Sequence, residues 1–267
     1  MGLEQFSLEG KVAIVTGSGR GIGKGIALAF AEVGADMVCC DINASDVEAT
    51  AKDIRQKDRR ALAVLCDVTD EKQVDEMVQR TAAEFGRIDI LVNNVGGAAS
   101  FGPVMQMSRS DFEKTIAINL ISTFLCSQSV AKIMLKQQSG SIINISTRDS
   151  IQPCIGRAAY GAAKAGVNAF TRTLAWELAP HVRVNGILSG GIETEGSLDY
   201  IGPMLPQIIA GTPMKRMGVP QDIALACIYL ASDASSWVTG RMFEIDGGIE
   251  FVHLDLGPLI GNGEQGV

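Results

Sequence analysis

Short apolar runs alternate with amphipathic stretches along most of this chain. Seven runs rich in valine, isoleucine and leucine predict strands buried on both faces of a sheet: 11–17, 35–41, 61–67, 87–94, 140–146, 182–188 and 241–246. Helical periodicity lies between them, over 22–33, 44–57, 70–85, 109–137, 157–179 and 220–232. Because parallel strands need crossover connections, this order predicts an α/β fold: a doubly wound parallel sheet of about seven strands with helices on both faces.

The composition is that of one large domain. The 267 residues are 46% hydrophobic and no linker-like stretch divides them, which predicts a single domain over 1–267. A net charge of −7 argues against nucleic acid and anionic membrane surfaces as partners. Without a signal peptide or an apolar run of spanning length, the chain is expected to be cytoplasmic. The six cysteines lack paired spacing and the two histidines lie far apart, so no metal site is predicted.

Two stretches interrupt the alternation. Residues 189–219 combine glycines, prolines and apolar residues over a length that exceeds a simple connection. Such an irregular insertion predicts a lid over a substrate site. The tail 249–267 is also irregular, and its last residues are expected to be mobile.

A glycine-rich turn joins the first strand to the first helix. In TGSGRGIG, Gly17, Gly21 and Gly23 let the backbone turn tightly and approach a diphosphate, which then faces the helix N-terminus. The spacing G-x3-G-x-G differs from G-x-G-x-x-G, but its place in a βαβ unit indicates a dinucleotide site. The sheet is therefore expected to be of the Rossmann type.

The ends of the next strands indicate which dinucleotide binds. Asp41 lies about 20 residues beyond the glycines, where a carboxylate accepts hydrogen bonds from ribose hydroxyls and repels a 2′-phosphate. Arg20 in the glycine turn favours a phosphate instead. Because the repulsion by Asp41 outweighs this attraction, NAD is predicted over NADP. Asp67, at the end of the third strand, either meets the adenine edge or caps its own loop.

Tyr160 and Lys164 are four residues apart on a predicted helix and so share one face. A fixed cation beside a phenol favours the phenolate and lowers a pKa of about 10. Lowering the pKa by about 3 units needs about 4 kcal/mol, more than one lysine supplies in a wet site. The pair predicts an acid/base tyrosine if a bound cofactor adds positive charge. The alternative is a lysine stem packed on a ring.

Together these segments resemble the short-chain dehydrogenase/reductase family over about residues 8–248. The resemblance implies that Tyr160 is the general acid/base, that Lys164 lowers its pKa and holds the nicotinamide ribose, and that Asn119 holds a water of a proton relay. The matching pieces are TGSGRGIG (16–23), CDV (66–68), NNVG (93–96), Asn119, INIS (143–146), Tyr160-x3-Lys164, RVNGI (183–187) and DGG (246–248).

The family also implies a serine that polarises the substrate carbonyl, and here the sequence departs from the pattern. That serine usually lies thirteen residues before the tyrosine, a position occupied by Thr147. Adjacent side chains on a strand point to opposite faces, so Thr147 and its neighbour Ser146 do not both reach the substrate. Thr147 is predicted to take the role. Ser146 is the alternative if a bulge shifts the register.

The family likewise implies a set of cofactor contacts. Where the family usually has Pro-Gly, this chain has Ser189-Gly190, which makes the following turn less predictable. Besides Tyr160 and Lys164, the predicted contacts are Gly17, Gly19, Arg20, Gly21, Ile22, Gly23, Asp41, Ile42, Asp67, Val68, Asn94, Val95, Gly96, Gly190, Ile192 and Thr194.

The loops expected near the reacting carbon are 97–101, 151–155 and 192–213. They are apolar and carry few charges, which favours an apolar or amphipathic alcohol or ketone as the small-molecule substrate. NNVGG, SDF, TPMKRMG and ASSWVTG resemble bacterial hydroxysteroid dehydrogenases, and more loosely 3-oxoacyl-carrier-protein reductases. The predicted function is NAD-dependent interconversion of a secondary alcohol and a ketone on a hydroxysteroid or similar bulky apolar alcohol. An acyl-carrier-protein reductase or a sugar-alcohol dehydrogenase is the alternative.

Two further expectations concern the whole molecule. Helices 109–137 and 157–179 carry apolar residues beyond one narrow stripe, and the resemblance implies that they pack against other subunits of a homotetramer. An alternative of another class is a catalytically silent dinucleotide sensor or scaffold, favoured only by Thr147 and Ser189.

Overall fold

Seven parallel strands form one sheet in the computed structural model, which describes residues 3–197 and 202–249. The strands are Val12–Thr16 (β1), Asp36–Asp41 (β2), Ala61–Leu65 (β3), Ile90–Asn93 (β4), Gly140–Thr147 (β5), Val182–Ser189 (β6) and Met242–Ile245 (β7). Their order across the sheet is β3-β2-β1-β4-β5-β6-β7. The α/β, doubly wound, Rossmann-type sheet predicted from the alternation is confirmed.

Helices cover both faces of this sheet. Those with both ends described are Gly21–Glu32 (α1), Ala44–Arg55 (α2), Glu71–Phe85 (α3), Arg109–Ile116 (α4), Ser122–Gln137 (α5), Ala158–Leu178 (α6), Leu205–Gly211 (α7) and Pro220–Ala231 (α8). One turn of π-helix, Ala117–Ile121, joins α4 to α5. The predicted helix 109–137 is therefore continuous but locally widened, and hydrophobic periodicity does not reveal such a turn.

Each face of the sheet contributes to a separate hydrophobic core. Successive residues of β1 point to opposite faces, so Val15 packs under α1 and α8 while Ile14 packs under α3 and α5. All five residues of β1 are buried, as expected for a central parallel strand. Helix α1 approaches α8 so closely that a Cβ on Gly25 would lie 2.6 Å from Pro220 Cβ.

Polar residues at the helix ends account for several of the boundaries. Asn43 caps α2 and Asp70 caps α3 through bonds to backbone N–H groups. Gly86 ends α3 in the left-handed conformation, at φ +77°. Asp222 does not occupy the cap position of α8. That position belongs to Val219, because Pro220 begins the helix, and Asp222 Oδ2 accepts from the backbone N–H of Val219 at 2.8 Å.

The predicted lid, 189–219, is more regular than expected. It contains α7, which starts at Leu205 with a proline in its first turn and buries Ile208 against Met204 and Met217. Proline in the first turn of a helix is compatible with helical geometry, so the prolines here do not exclude a helix. Residues 198–201 of the lid and 250–267 of the predicted irregular tail lie outside the described residues.

One helical stretch of the described residues, Arg109–Gln137, is long and apolar enough by composition to cross a membrane, with a mean hydropathy of 1.4. It buries Cys126, Val130 and Met134 in the core beneath the sheet, as a core helix of an α/β protein does. Its outer face and that of α6 expose Phe124 and Trp176, which is 87% exposed. The homotetramer stays a prediction.

Candidate active site

The predicted site residues lie mainly at one edge of the sheet, where the strands end. The strand order reverses between β1 and β4, and ligands of open α/β sheets bind in the crevice outside the carboxyl ends at such a point. The glycine turn follows β1, Asp41 ends β2, Asn94 follows β4, and Thr147 ends β5. The topology therefore brings together residues that are far apart in the sequence.

The glycine turn has a conformation that other residues would not fit. Gly17 and Gly21 have φ values of +65° and +56°. A Cβ on Gly23 would lie 2.1 Å from the carbonyl oxygen of Gly17, so the start of α1 packs directly on the turn. Backbone N–H groups at the N-terminus of α1 are thus left accessible to an anion, and the turn can accommodate a diphosphate.

Asp41 is held beside this turn. Its Oδ2 accepts from the Gly19 N–H at 2.9 Å, and its Oδ1 accepts from the Asn43 N–H at 3.1 Å. A Cβ on Gly19 would lie 2.8 Å from Asp41 Oδ2, which explains glycine at this position. Each oxygen keeps a lone pair for a further donor. Ile42, the residue after Asp41, has a side chain that is 72% exposed.

Asp67 and Val68 are placed less directly. The Asp67 carboxylate accepts from the backbone N–H and the hydroxyl of Thr69, at 2.9 and 2.7 Å, so it closes its own loop. This corresponds to the cap that the sequence left open as its alternative role. The side chain of Val68 is buried in the core, so a contact with a dinucleotide would use its backbone.

The loop after β4 is tied to the glycine turn. Asn94 Nδ2 donates to the carbonyls of Thr16 and Gly17, at 2.9 and 3.2 Å. The Thr16 hydroxyl accepts from the backbone N–H groups of Asn94 and Val95. A cleft opens in front of this junction, and it is lined by Arg20, Gly21, Ile22, Asn94, Gly96, Thr194, Glu195 and Gly196. Six of these eight residues are among the predicted cofactor contacts.

The segment predicted as a lid reaches the cleft through Thr194. A Cβ on Gly21 would lie 3.4 Å from Thr194 Cγ2, so this segment is in contact with the glycine turn. Ile192 is buried and pairs with Gly218 in an isolated bridge. Gly190 packs against Asp246, where a Cβ would lie 2.7 Å from the Asp246 Cα. This close approach to the end of β7 requires glycine at the turn where the family's proline is missing.

Lys164 is buried below the cleft beside Tyr160. Its Nζ donates to the Ile145 carbonyl at 2.8 Å and lies 5.9 Å from the centroid of the Tyr160 ring. Burial lowers the pKa of Lys164 to about 8, because the charged ammonium loses hydration. A Cβ on Gly96 would lie 2.8 Å from Lys164 Nζ, so glycine here lets the loop after β4 cover the ammonium without displacing it. The pair predicted from its spacing is a buried cation beside a half-buried phenol.

Asn119 lies in the π-helical turn and fixes the same loop. Its Oδ1 accepts from the Gly97 N–H at 3.1 Å, and its Nδ2 donates to the Gly97 and Thr115 carbonyls at 2.7 Å each. A widened helical turn of this kind is frequent at functional sites. The amide thereby holds Gly96 and Gly97 against Lys164.

Ser146 and Thr147, at the end of β5, are both buried but have different hydrogen-bond partners. The Ser146 hydroxyl is buried and makes two long bonds, of 3.4 Å each, to the Lys164 carbonyl and to Ser150 Oγ. The Thr147 Oγ1 accepts from the Asp149 N–H at 3.3 Å, at the start of the short 3₁₀ turn Arg148–Ser150. No bulge interrupts the pairing of β5 with β6, since Ser146 faces Leu188 and Thr147 faces Ser189 in one register.

Two charged residues beside Tyr160 were missed by the sequence-based prediction. The guanidinium carbon of Arg157 lies 4.7 Å from the centroid of the Tyr160 ring. Its Nη1 donates to Asp149 Oδ2 at 2.6 Å. Arg157 is the N-cap residue of α6 and lies outside the helix, so the helical spacing rule does not signal its contact with Tyr160.

Two of the predicted substrate loops, 97–101 and 151–155, approach each other next to Tyr160, where Arg157 lies against the rings of both Phe101 and Tyr160. The Gly102 N–H donates to the Gly156 carbonyl at 3.0 Å and so joins the loop after β4 to the loop before α6. Five large apolar side chains are exposed on or near these two loops, and together they are called the apolar rim: Phe101, Val104, Met105, Ile151 and Ile155. Cys154 is half-buried, whereas the other five cysteines are buried.

Comparisons with known proteins agree with this architecture. A family model described as Enoyl-(Acyl carrier protein) reductase matches residues 17–250. The 7alpha-hydroxysteroid dehydrogenase of Escherichia coli (strain K12) is 38% identical over 248 residues, covering 92% of this chain and 96% of that protein. The 3-oxoacyl-[acyl-carrier-protein] reductase FabG of Thermotoga maritima is 37% identical over 243 residues, covering 91% and 98%. A solved 7 alpha-hydroxysteroid dehydrogenase complexed with NADH and 7-oxo glycochenodeoxycholic acid gives a TM-score of 0.91 at 36% identity, covering 95% and 100%.

The fold and the site together define an oxidoreductase that uses a nicotinamide dinucleotide. The match over residues 17–250 and these relatives show the family: the chain belongs to the short-chain dehydrogenases/reductases.

Proposed function

We propose that this chain is a NAD-dependent dehydrogenase that interconverts a secondary alcohol and a ketone on a hydroxysteroid or a similarly bulky apolar alcohol. The observation that carries the proposal is the Tyr160–Lys164 pair, with its buried ammonium, next to a glycine turn fit for a diphosphate. The exposed side chains of the apolar rim support a bulky apolar substrate.

Each residue of the site has a role that its chemistry supports. The bound oxidised dinucleotide supplies the hydride acceptor. Tyr160, as phenolate, takes the proton of the substrate hydroxyl, and in the reverse direction its phenol returns the proton to the carbonyl oxygen. Lys164 favours the phenolate through its charge. The Thr147 hydroxyl donates to the substrate oxygen, and Asn119 keeps the loop of Gly96 in place and takes part in the proton relay.

The Asp41 carboxylate is proposed to select NAD over NADP. Replacing it with asparagine keeps an acceptor for the Gly19 N–H but removes the charge that repels a 2′-phosphate. The ratio of kcat/KM for NAD to that for NADP is expected to fall by about 10- to 100-fold. Initial rates with both cofactors measure this ratio.

Asp36→Asn is the matched control, because Asp36 lies at the opposite end of β2, where its Oδ1 accepts from the Arg60 N–H. This variant should leave the cofactor ratio unchanged. A wild-type preference for NADP would contradict the assignment of Asp41.

The substrate class is tested by kcat/KM across a panel of hydroxysteroids, sugar alcohols and 3-hydroxyacyl thioesters. A bulky apolar alcohol is expected to give the highest value, because the rim offers apolar surface and few charges. The relative from Thermotoga maritima favours a second candidate, a 3-oxoacyl thioester reductase. A higher kcat/KM for acyl thioesters would establish that candidate instead.

A further inference from the structure

The guanidinium of Arg157 lies between two aromatic rings at the entrance to the site. Its carbon is 4.7 Å from the centroid of the Tyr160 ring and 5.5 Å from that of Phe101. A cation at these distances from a ring face is attracted by the π electrons. The attraction grows when the ring carries negative charge, because the cation then also meets the phenolate.

The position of Arg157 is fixed by the packing of α6 against the 3₁₀ turn Arg148–Ser150. A Cβ on Gly161 would lie 2.9 Å from the Asp149 carbonyl oxygen, so helix and turn are in close contact. Asn168, about two turns further along the helix, donates from Nδ2 to Ser150 Oγ at 2.7 Å and ties α6 to the same 3₁₀ turn. Asp149 is thereby held where its carboxylate binds Arg157 Nη1 at 2.6 Å.

In the part of the chain that the structure describes, Lys164 and Arg157 lie against the Tyr160 ring. Asp149 is bound to Arg157, and the Cys154 thiol lies near both of them. Lys164 lies on the same helix as Tyr160, Arg157 and Cys154 lie in the loop before it, and Asp149 lies in the turn after β5. Burial, followed by the charge of Asp149, raises the pKa of the Cys154 thiol, which stays neutral. Burial lowers the pKa of Lys164 to about 8, so this ammonium loses its charge as the pH rises. Arginine keeps its charge throughout.

We propose that Arg157 is a positioning residue that holds a permanent positive charge on the face of the Tyr160 ring and favours the phenolate. It supplies cationic charge that Lys164 alone does not, and Asp149 offsets part of it while holding the guanidinium in place. The inference rests on the proposed function, in which Tyr160 transfers the proton. Alcohol oxidation needs the phenolate, so Arg157 extends this activity toward lower pH.

The test compares wild type, Arg157→Gln and Arg157→Lys in two measurements. The first is the pH profile of kcat/KM for alcohol oxidation with NAD. The second is the ultraviolet absorbance of phenolate as a function of pH, taken as the difference between each protein and its Tyr160→Phe counterpart, which isolates one of the three tyrosines. Arg157→Gln is expected to move the acid limb and the absorbance titration upward by about 1 pH unit. Arg157→Lys keeps the charge and should restore most of the shift.

The matched control is Arg60→Gln. Arg60, just before β3, makes the same two kinds of contact at a more exposed place, with its guanidinium carbon 4.4 Å from the Phe85 centroid and an ion pair to Glu84. This variant should leave both titrations unchanged.

Three results would overturn the inference. A rate lowered equally at every pH by Arg157→Gln would show a packing role. A raised KM for acidic substrates in Arg157→Gln, with the titration of Tyr160 unchanged, would show that Arg157 binds the substrate instead. An equal shift in Arg157→Lys and Arg157→Gln would show that charge is not the cause. Activity retained by Tyr160→Phe would instead contradict the proposed function, and the absorbance titration would still test Arg157.

Discussion

Replacing Tyr160 with phenylalanine is expected to lower kcat/KM by about 10²- to 10⁴-fold, the usual contribution of a general acid/base. The change removes one hydroxyl and keeps the ring between Arg157 and Lys164. The glycine turn and Asp41 lie on other elements, so NADH binding should be nearly unchanged. Initial rates of NADH formation and equilibrium NADH binding, followed by fluorescence, separate the two effects.

Tyr229→Phe is the matched control for this substitution. Tyr229 packs against Phe6 and Phe243 on the other side of the sheet from α6, and its loss of a hydroxyl should leave kcat/KM unchanged. Turnover retained by Tyr160→Phe would contradict the assigned proton transfer, whatever the control does.

Replacing Thr147 with alanine is expected to lower kcat by about 10²-fold, similar to the loss of one donor to a developing oxyanion. Thr147→Ser keeps the hydroxyl and should retain activity within about tenfold of wild type. The hydroxyl also caps the turn of Arg148–Ser150, so Thr147→Ala is expected to reduce the free energy of unfolding by about 1 kcal/mol. Rates measured well below the melting temperature separate the loss of chemistry from this loss of stability.

Ser146→Ala tests the alternative hydroxyl. The two bonds of the Ser146 hydroxyl are long, at 3.4 Å, so removing this hydroxyl should change kcat little. A larger loss of rate in Ser146→Ala than in Thr147→Ala would show that the family serine corresponds to Ser146. The pairing of β5 with β6 is uninterrupted, which argues for Thr147, because Ser146 was the alternative only if a bulge shifted the register.

Much of the fold could be predicted because its signals are local. The apolar run 11–17 contains β1, Val12–Thr16, since a central parallel strand is buried on both faces and has no polar alternation. The helix α7 was missed, because Pro206 and Gly211 within GPMLPQIIAG are typical of a loop. The helix forms nevertheless, since the proline lies in its first turn and Ile208 is buried.

The site was predictable where spacing or strand ends position the residues. Tyr160 and Lys164 share a face of α6, and Asp41 ends β2 beside the glycine turn, as their patterns indicate. Asn119 was identified only through the family resemblance, because the π-helical turn that contains it leaves no mark in the periodicity of 109–137. The packing of Gly96 on Lys164 likewise depends on tertiary structure.

The pair of Arg157 and Asp149 shows where local patterns fail. The two residues are joined across a turn by the close approach of α6 at Gly161, and no periodic signal connects a 3₁₀ turn to the following helix. The need for positive charge beyond Lys164 was evident from the pKa of a phenol. The sequence alone assigned that charge to the cofactor, whereas the structure adds a second cation at the ring.

The most direct test of the account follows the hydride itself. Wild-type enzyme, NAD and the preferred secondary alcohol, deuterated at the carbinol carbon, are incubated together, and the NADH formed is analysed by mass spectrometry. The account predicts NADH that carries one deuterium, formed by the wild type and not by Tyr160→Phe. Unlabelled NADH would contradict hydride transfer from the carbinol carbon. No NADH from any alcohol, by a protein that binds NADH, would also contradict the account and would favour a dinucleotide sensor.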